Sequence, residues 1–573
     1  MNKEAISSNN HLYLFKREWS EEARPKNSAT CIVCGVRPIG YPVKGSCSEL
    51  EINLPKWATE KKSRDRKVCR ICLERRGRRS EQWVNEDLKH TIWTDEVADN
   101  NGRLALFVGK LGLEGWLDGT LLSTIQVTQG NTKNSSPARL YRIAETAHAF
   151  WKKVTDELMP NAVYQRPFRL EIYPNSDDFS ELGDYHAYDL DIDGVVLSIV
   201  WDKPNKRFLT TDNLNYFAQK LLDNLDDDLV KSLRRKLEGK VFKIIEPSSF
   251  LKASQPKAEI TIKKVEPTGS YLPAISLLTE PSLCLMLIPA DKALELAHQV
   301  KKEYEKQMGK VRDRLPLDIG LIFFNRRTPI RSVLEAGRAM LDSSVNFNID
   351  EEGNWKEWRL INKNRSSDSY ELKFDNDITW NIPVVAGDGN TEDKWYPRLY
   401  EGDSWEKTQS THCSKLAKRN DRMPENKGKR IWVRPSHFDF EYLDSSARRF
   451  EIHYDKEGRR PRKTRPFYLE DLDRFQTLWE ILQKNLETTQ RHQVIYTIEA
   501  TGEMWYGENI QESWTDTVFK QFVTDTLANA AWTKDYKKWT DISPENRQEL
   551  IKAGVRGELA DIADLYMEIL KQR

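Results

Sequence analysis

The sequence predicts a mixed α+β chain built around a ferredoxin-like sheet, with a cysteine-bearing module before it and a helical region after it. Three observations carry that expectation. Short apolar runs alternate with helical periodicity between residues 103 and 345, two CxxC pairs stand among basic residues near the start, and residues from 466 onward turn strongly helical. At 573 residues the chain is too long for one hydrophobic core. It is expected to divide into a zinc-binding basic module (1–95), a sheet-bearing domain (96–345), a β-rich insertion dense in Trp, Asn and Gly (346–465) and a C-terminal helical domain (466–573).

The elements follow in order. RLALFVG, 103–109, is an apolar run between Gly102 and Gly109 and reads as a buried strand. Ser136-Pro137 opens a helix whose apolar face carries Leu140, Ile143, Ala147, Phe150, Trp151 and Val154, and Pro160 is expected to end it. FRLEIY, 168–173, reads as a strand, and the runs flanking Asp191-Ile192-Asp193-Gly194 read as a hairpin. A helix over about 211–237, strands within 271–288, a helix after Asp291, a strand at 317–324 and a helix from Thr328-Pro329 complete the series. Read together, β–α–β–(hairpin)–α–β–α–β–α suits a ferredoxin-like α+β sheet with insertions.

Composition excludes several classes. The chain is 39% apolar and 31% charged with 18 Trp, which argues against wholesale disorder. The 89 basic and 88 acidic residues nearly cancel, so affinity for nucleic acid must come from local patches. The start, MNKEAISSNN, lacks the order of a signal peptide. The apolar stretch 271–290 holds Pro273, Pro281, Pro289 and Glu280, which suits short strands better than a membrane span. Seven cysteines, four of them in CxxC pairs, fit a reducing compartment, so the expected location is cytoplasmic and no membrane partner is expected.

Cys31-Ile-Val-Cys34 and Cys69-Arg-Ile-Cys72 supply four thiolates in two tight pairs, enough for one tetrahedral ion. A closed four-sulfur shell leaves no open position, so the cofactor expected is structural zinc. Cys47 lies between the pairs and is an alternative ligand, Cys284 reads as core, and Cys413 has no assignment. Residues 56–79 hold eleven Lys and Arg against three acids, a net +8. The nucleic-acid candidates here are Lys61, Lys62, Arg64, Arg66, Lys67, Arg75, Arg76, Arg78 and Arg79; a solvated face is the plainer alternative. Two further basic clusters, Lys415–Arg434 and Lys456–Arg465, add Lys427, Lys429 and Arg430. Trp432, Phe438 and Phe440 lie near the first and suit either base stacking or a core.

Other motifs are weaker. Asp189-x-Asp191-x-Asp193-Gly194 opens like a calcium loop, but Val200 stands where a bidentate Glu should close it, and a hairpin turn is the simpler account. GKLGLEG, 109–115, lacks the ending of a P-loop, and no HExxH or GxSxG appears.

Residues 280–341, EPSLCLMLIPADKALELAHQVKKEYEKQ and then LPLDIGLIFFNRRTPIRSVLEAGRAML, resemble the polymerase/cyclase palm domain of the large subunit of type III CRISPR–Cas effector complexes. In that family a Gly-Gly-Asp-Asp turn precedes an apolar strand and a Pro-Ala-Asp-like helix start. The specific match covers about 60 residues, and the CxxC pairs and helical end are similar in organisation. Counting back from Pro289-Ala290-Asp291, the Gly-Gly-Asp-Asp positions hold Glu280, Pro281, Ser282 and Leu283, and the strand at 103 offers Gly109 and Lys110 where a palm continues with acids. Those aspartates, the resemblance implies, hold the divalent ions that activate ATP for cyclic oligoadenylate synthesis, a task needing anionic oxygen ligands. The family's amino-terminal nuclease domain is expected to be absent, as in the cyclase-degenerate subtype D branch.

The resemblance therefore implies no catalytic residues and a non-catalytic large subunit of an RNA-guided complex in antiviral defence. Its partners would be guide RNA, target RNA and the backbone and small subunits, with sequence read by base pairing. The alternatives are a divergent nucleotidyltransferase or cyclase using Asp202, Glu280 or Asp291, and a stand-alone zinc-dependent nucleic-acid-binding protein.

Overall fold

The computed structural model describes residues 29–42, 54–55, 58–117, 127–128, 131–132, 136–176, 179, 182–222, 228–247, 256–346, 355–386, 389–416, 429–443, 465–507, 509–533, 536 and 538–571. Among the described residues, helices α1 (Glu60–Asp65) and α2 (Arg70–Glu86) precede strand β1 (Arg103–Leu111) and helix α3 (Pro137–Lys153). Strands β2 (Leu170–Pro174), β3 (Ala187–Ile192), β4 (Val195–Asp202) and β5 (Arg207–Thr210) follow, then helices α4 (Leu214–Leu221) and α5 (Leu229–Leu237). After β6 (Val241–Ile245) and β7 (Ala258–Pro267) come β8 (Ile275–Thr279), β9 (Leu283–Pro289), α6 (Ala293–Met308), β10 (Leu317–Asn325) and α7 (Ile330–Asn346). Next are β11 (Lys356–Arg365), β12 (Ser369–Phe374), β13 (Thr379–Pro383), β14 (Arg398–Glu401), β15 (Gln409–His412), β16 (Lys429–Val433), β17 (His437–Leu443) and β18 (Phe467–Tyr468). Helices α8 (Asp471–Asn485), α9 (Thr488–Tyr506), α10 (Thr517–Ala528), α11 (Pro544–Arg556) and α12 (Glu558–Ala563) end the chain.

Two compact units result. One joins the described residues up to Gly102 to Gln165–Pro273; the other joins Arg103–Tyr164 to those from Ala274 onward. The stretch 96–345, expected as a single domain, is divided between the two units. The reason lies in pairing: β2 through β7 close on one another in the order β2-β5-β4-β3-β6-β7, a barrel with no free edge. Leu190, Ile199, Trp201, Phe208, Ile244 and Ile262 fill it and are fully or nearly fully buried. The expected hairpin is present between β3 and β4, with Asp193 and Gly194 both at positive φ. The helix expected over 211–237 is two helices, α4 and α5.

The barrel is fastened to the cysteine-bearing segment by a buried ion pair. Arg169, beside β2, places its Nε 2.5 Å from Glu96 Oε1, and its second nitrogen donates to His90 O at 2.9 Å. Arg169 lies over the Tyr271 ring, 3.8 Å from its centroid, and neither charged group touches solvent appreciably. Burial pushes the Glu96 carboxyl upward in spite of its partner Arg169.

In the second unit, β1–α3–β8–β9–α6–β10 makes a β-α-β-β-α-β series. Its strands lie in the order β8-β9-β1-β10 and are antiparallel throughout, the arrangement of a split βαβ unit. The chain leaves this sheet after Tyr164 and returns at Ala274, so the barrel is an insertion between α3 and β8. Helix α7 then carries the chain to β17, which pairs parallel to β10, and β18 adds the last strand. Pro160 does not end α3: a π-turn at Val154–Leu158 absorbs the break, and helix continues through Met159–Val163.

The insertion after α7 is β-rich, as expected, and forms its own six-stranded sheet, β13-β12-β11-β16-β14-β15. Trp358, Leu372, Phe374, Trp380, Ile382 and Ile431 alternate onto its buried face. The carboxyl end is helical, with Phe475, Leu482, Val523, Leu550 and Ile562 inward.

Candidate functional site

The cysteine quartet assembles. The sulfurs of Cys31, Cys34, Cys69 and Cys72 all lie within 4.8 Å of one another. Zinc–sulfur bonds of about 2.3 Å in a tetrahedron would set sulfurs about 3.8 Å apart, so the set can hold a metal ion and is compatible with zinc. Local geometry explains why these residues converge. Gly35, at φ +63°, lets the first loop turn back, with Gly35 N donating to Cys31 O at 2.8 Å and Cys31 N to Arg37 O at 2.7 Å. Cys69 caps α2, its sulfur accepting from Cys72 N at 3.4 Å, and Ile32 N donates to Lys67 O at 3.1 Å to join the two loops.

Electrostatics favour thiolate at one corner. Desolvation works against it, yet the backbone N–H groups of Arg37 and Val36 bring the Cys34 thiol down to about 6. All described cysteines are free thiols. Cys47 falls outside the described residues. Cys284 and Cys413 are fully buried, and desolvation pushes each thiol up to about 12, so both behave as core.

The basic residues nearby separate into two kinds. Lys61, Arg64, Lys67, Arg75, Arg76, Arg78 and Arg79 are exposed. Arg66 is instead buried: its Nε sits 2.7 Å from Glu246 Oε2, its Nη2 donates to Ala187 O at 2.9 Å, and it lies 5.0 Å from the Tyr188 ring centroid. Lys62 is half-buried, and burial together with Arg66 lowers its ammonium to about 8. Arg66 fastens the end of α1 to the barrel and is not available as a surface cation, which corrects its reading as a nucleic-acid contact. Lys62 lies 5.8 Å from the Tyr188 ring centroid and stays partly exposed.

The later basic clusters are mostly beyond view. Lys427 lies outside the described residues, and of Lys429 only the backbone is described, at the start of β16. Arg430 is half-buried, donating to Asp403 O at 2.9 Å with Glu357 3.4 Å away. Arg465, counted with the last cluster, is buried between Asp561, 2.9 Å away, and the Phe440 ring. Trp432, Phe438 and Phe440 are all core residues, not stacking platforms.

Glu280, Pro281, Ser282 and Leu283 form the tight turn between β8 and β9. Glu280 N donates to Leu283 O at 2.8 Å, and Leu283 N returns the bond at 3.2 Å. The end of β1 lies directly beside this turn, with Gly109 opposite Cys284, Lys110 opposite Leu283, and Leu111 N donating to Ser282 O at 3.0 Å. Above Gly109 sits the indole of Trp151, from α3. A Cβ added at Gly109 would lie 2.3 Å from Trp151 Cη2, so only glycine admits the ring. Trp151 is fully buried and donates its Nε1 to Pro281 O at 3.2 Å. Sequence reading placed Trp151 on a helical apolar face; the lone glycine inside an apolar strand was the signal that something approached closely there.

The other acids offered for catalysis do not gather at that turn. Asp291 follows β9 at its opposite end. Asp202 belongs to the barrel, fully buried and 2.9 Å from Arg207 Nε. Asp191 and Asp193 serve the hairpin: Asp191 accepts from Gly194 N at 3.0 Å, and Asp193 pairs with Lys236 at 2.7 Å. Among the described residues, the cysteine quartet is the one group of three or more His, Cys, Asp or Glu that converges closely enough to hold an ion.

No protein-family model and no curated protein matches this sequence. The site must be judged on its own chemistry. One further cavity, of about 800 Å³, lies in the second unit. Its charges are matched internally, Lys301 with Asp473 at 2.6 Å, Arg474 with Glu558 at 2.8 Å and Lys552 with Asp377 at 2.6 Å. Among the described residues, no helix is long and apolar enough to cross a membrane.

Proposed function

We propose that this chain is a non-catalytic large subunit of an RNA-guided type III CRISPR effector complex, acting in the cytoplasm as a scaffold for guide and target RNA. The observation that carries the reading is the turn at Glu280–Leu283. By the resemblance it corresponds to the turn where a palm carries its metal-binding aspartates, and here it carries Glu280, Pro281, Ser282 and Leu283 beside a Gly109 covered by Trp151. Divalent ions that activate a triphosphate need anionic oxygens facing the phosphates, and an indole packed on backbone supplies none.

The cysteine quartet supports the same reading from another side. Four thiolates close the coordination shell, so the ion it holds is structural zinc, with no position left for water or substrate. Exposed Arg75, Arg76, Arg78 and Arg79 on α2 give the module a cationic face of the kind that contacts phosphates. Base pairing between guide and target would carry specificity, and the protein would read backbone and shape. Cyclase activity through substitute acids is disfavoured, because Glu280 and Asp291 lie at opposite ends of β9 and Asp202 is fully buried and paired with Arg207.

Mild affinity purification of this chain from its native host tests the proposal. Repeat-derived guide RNAs, with backbone and small subunits in fixed ratio, are the expected result. Recovery of the chain alone, without guide RNA, would overturn it.

A further inference from the structure

The tip of the first cysteine loop carries three exposed β-branched aliphatics within five residues: Ile32 (50% exposed), Val33 (42%) and Val36 (40%). The loop is not free to tuck them in. Hydrogen bonds from Cys31 N to Arg37 O, from Gly35 N to Cys31 O and from Ile32 N to Lys67 O fix it from within and from the neighbouring loop. Holding apolar surface in water costs roughly 25 cal/mol per Å², so a rigid apolar tip marks a contact surface.

Charge says what kind of contact. In the stretch from Thr59 to Ser80 all three acids are already paired: Glu60 with Arg64 at 2.6 Å, Asp65 with Lys257 at 3.2 Å, and Glu74 with Arg78. Lys67, Arg75 and Arg79 have no carboxylate partner among the described residues and are exposed. Lys67 lends its carbonyl to Ile32, so its backbone stands next to the apolar tip. Arg75 and Arg79 lie one turn apart on α2, opposite its buried stripe of Leu73, Gly77, Ser80 and Val84.

We infer that this loop and helix together form a binding surface for single-stranded RNA, with Ile32, Val33 and Val36 taking the faces of unstacked bases and Lys67, Arg75 and Arg79 taking phosphates. Apolar side chains can meet base faces only where bases are unstacked, which favours single strands over duplex. The uncompensated cations favour a polyanion over an ordinary protein surface. The inference rests on the nucleic-acid association proposed above and adds its strandedness and its contacts.

The test uses the full chain with its zinc and fluorescence anisotropy across a salt series. The probes are an unstructured oligouridine RNA and an RNA duplex of equal length. The variant I32S/V33S/V36S keeps every cysteine and every charge; it should weaken oligouridine binding at least tenfold with the salt slope unchanged. R75Q/R79Q should flatten the slope of log K against log salt by about 1.4, two phosphate contacts at ~0.7 each on a single strand. Zinc content reports whether the apolar variant keeps its loops, and R75Q/R79Q, on a helix surface, decides the matter if it does not. Undiminished oligouridine binding by the zinc-loaded triple variant, an unchanged slope in the arginine variant, or equal affinity for duplex would overturn the inference. So would a triple variant that loses a co-purifying protein while keeping RNA. Because binding is read on the isolated chain, it stands or falls separately from assembly of the larger complex.

Discussion

The cysteine centre and the turn at Glu280–Leu283 make a contrast: among the described residues, the first gathers ligand side chains close enough to hold an ion and the second does not. At the first, four ligands come from two distant loops, and glycines, caps and cross-loop hydrogen bonds bring their sulfurs within 4.8 Å. At the second, a β-turn beside a central strand offers one carboxylate, Glu280, with Pro281, Ser282 and Leu283, and the Trp151 indole packs on the neighbouring Gly109. The contrast teaches that a metal centre needs several donor side chains brought together, and that a suitable turn alone does not make one. The strands beside that turn are also core strands: Leu104, Leu106, Met286 and Ile288 are fully buried and hold the sheet whether or not the turn binds an ion.

The largest effect should come at the cysteine centre. A structural zinc site contributes on the order of 10 kcal/mol to folding at neutral pH. Cys69→Ser, or stripping with a strong chelator, should unfold the segment around α1 and α2, read as loss of amide protection there, while α6 and β10 keep theirs. Intact protection after zinc removal would break the comparison by making the quartet incidental.

Next in size is Trp151→Ala. Removing a fully buried indole costs about 3–5 kcal/mol, and Pro281 O loses its donor. Chemical denaturation should show that loss, and titration calorimetry should find no gained affinity for magnesium–ATP. A variant that binds the nucleotide would sharpen the account, making Trp151 a plug over a competent site. Gly109→Asp introduces an acid in β1 but drives its Cβ into the same ring, so destabilisation of about 1–3 kcal/mol is expected.

Carboxylates in the second unit should reveal themselves as structural through pH. Desolvation opposes it, but hydrogen bonds from His298 and Lys301 hold Asp473 well below the usual carboxylate range. Its folded value is depressed, so its contribution is present above the ordinary carboxylate pKa near 4 and fades as pH falls below that. Asp313 runs the other way: burial raises it to about 6 despite Arg314, so its contribution is lost as pH rises through 6. The stability gap between wild type and Asp473→Asn, measured between pH 3 and 7, should be constant near neutral pH and begin to narrow below about pH 4. The smallest effect is Glu60→Ala, which removes an exposed i,i+4 pair with Arg64 and should shift stability by no more than about 0.5 kcal/mol.

Much of this was legible in residues alone. Two CxxC pairs announced their convergence, because tight spacing fixes each pair and chemistry brings the pairs together. The strands at 103, 283 and 317 were visible as apolar runs, and the hairpin at Asp193-Gly194 as a turn with two positive-φ positions. The barrel was not, since β2 pairs with β7 almost a hundred residues away and no local period records that bond. Arg66 and Arg465 looked like members of basic clusters; only their partners Glu246 and Asp561, far along the chain, reveal them as buried ion pairs. Gly109 was noticed as a missing acid, when its larger meaning was room for Trp151.

The central proposal is that the metal centre of this chain is structural and that the chain has none for catalysis. Incubating the purified zinc-loaded protein with ATP and magnesium or manganese, and separating products by mass spectrometry, tests it most directly. The account predicts unchanged ATP under either metal. Oligoadenylate formed by the wild type and abolished in Glu280→Ala would contradict it.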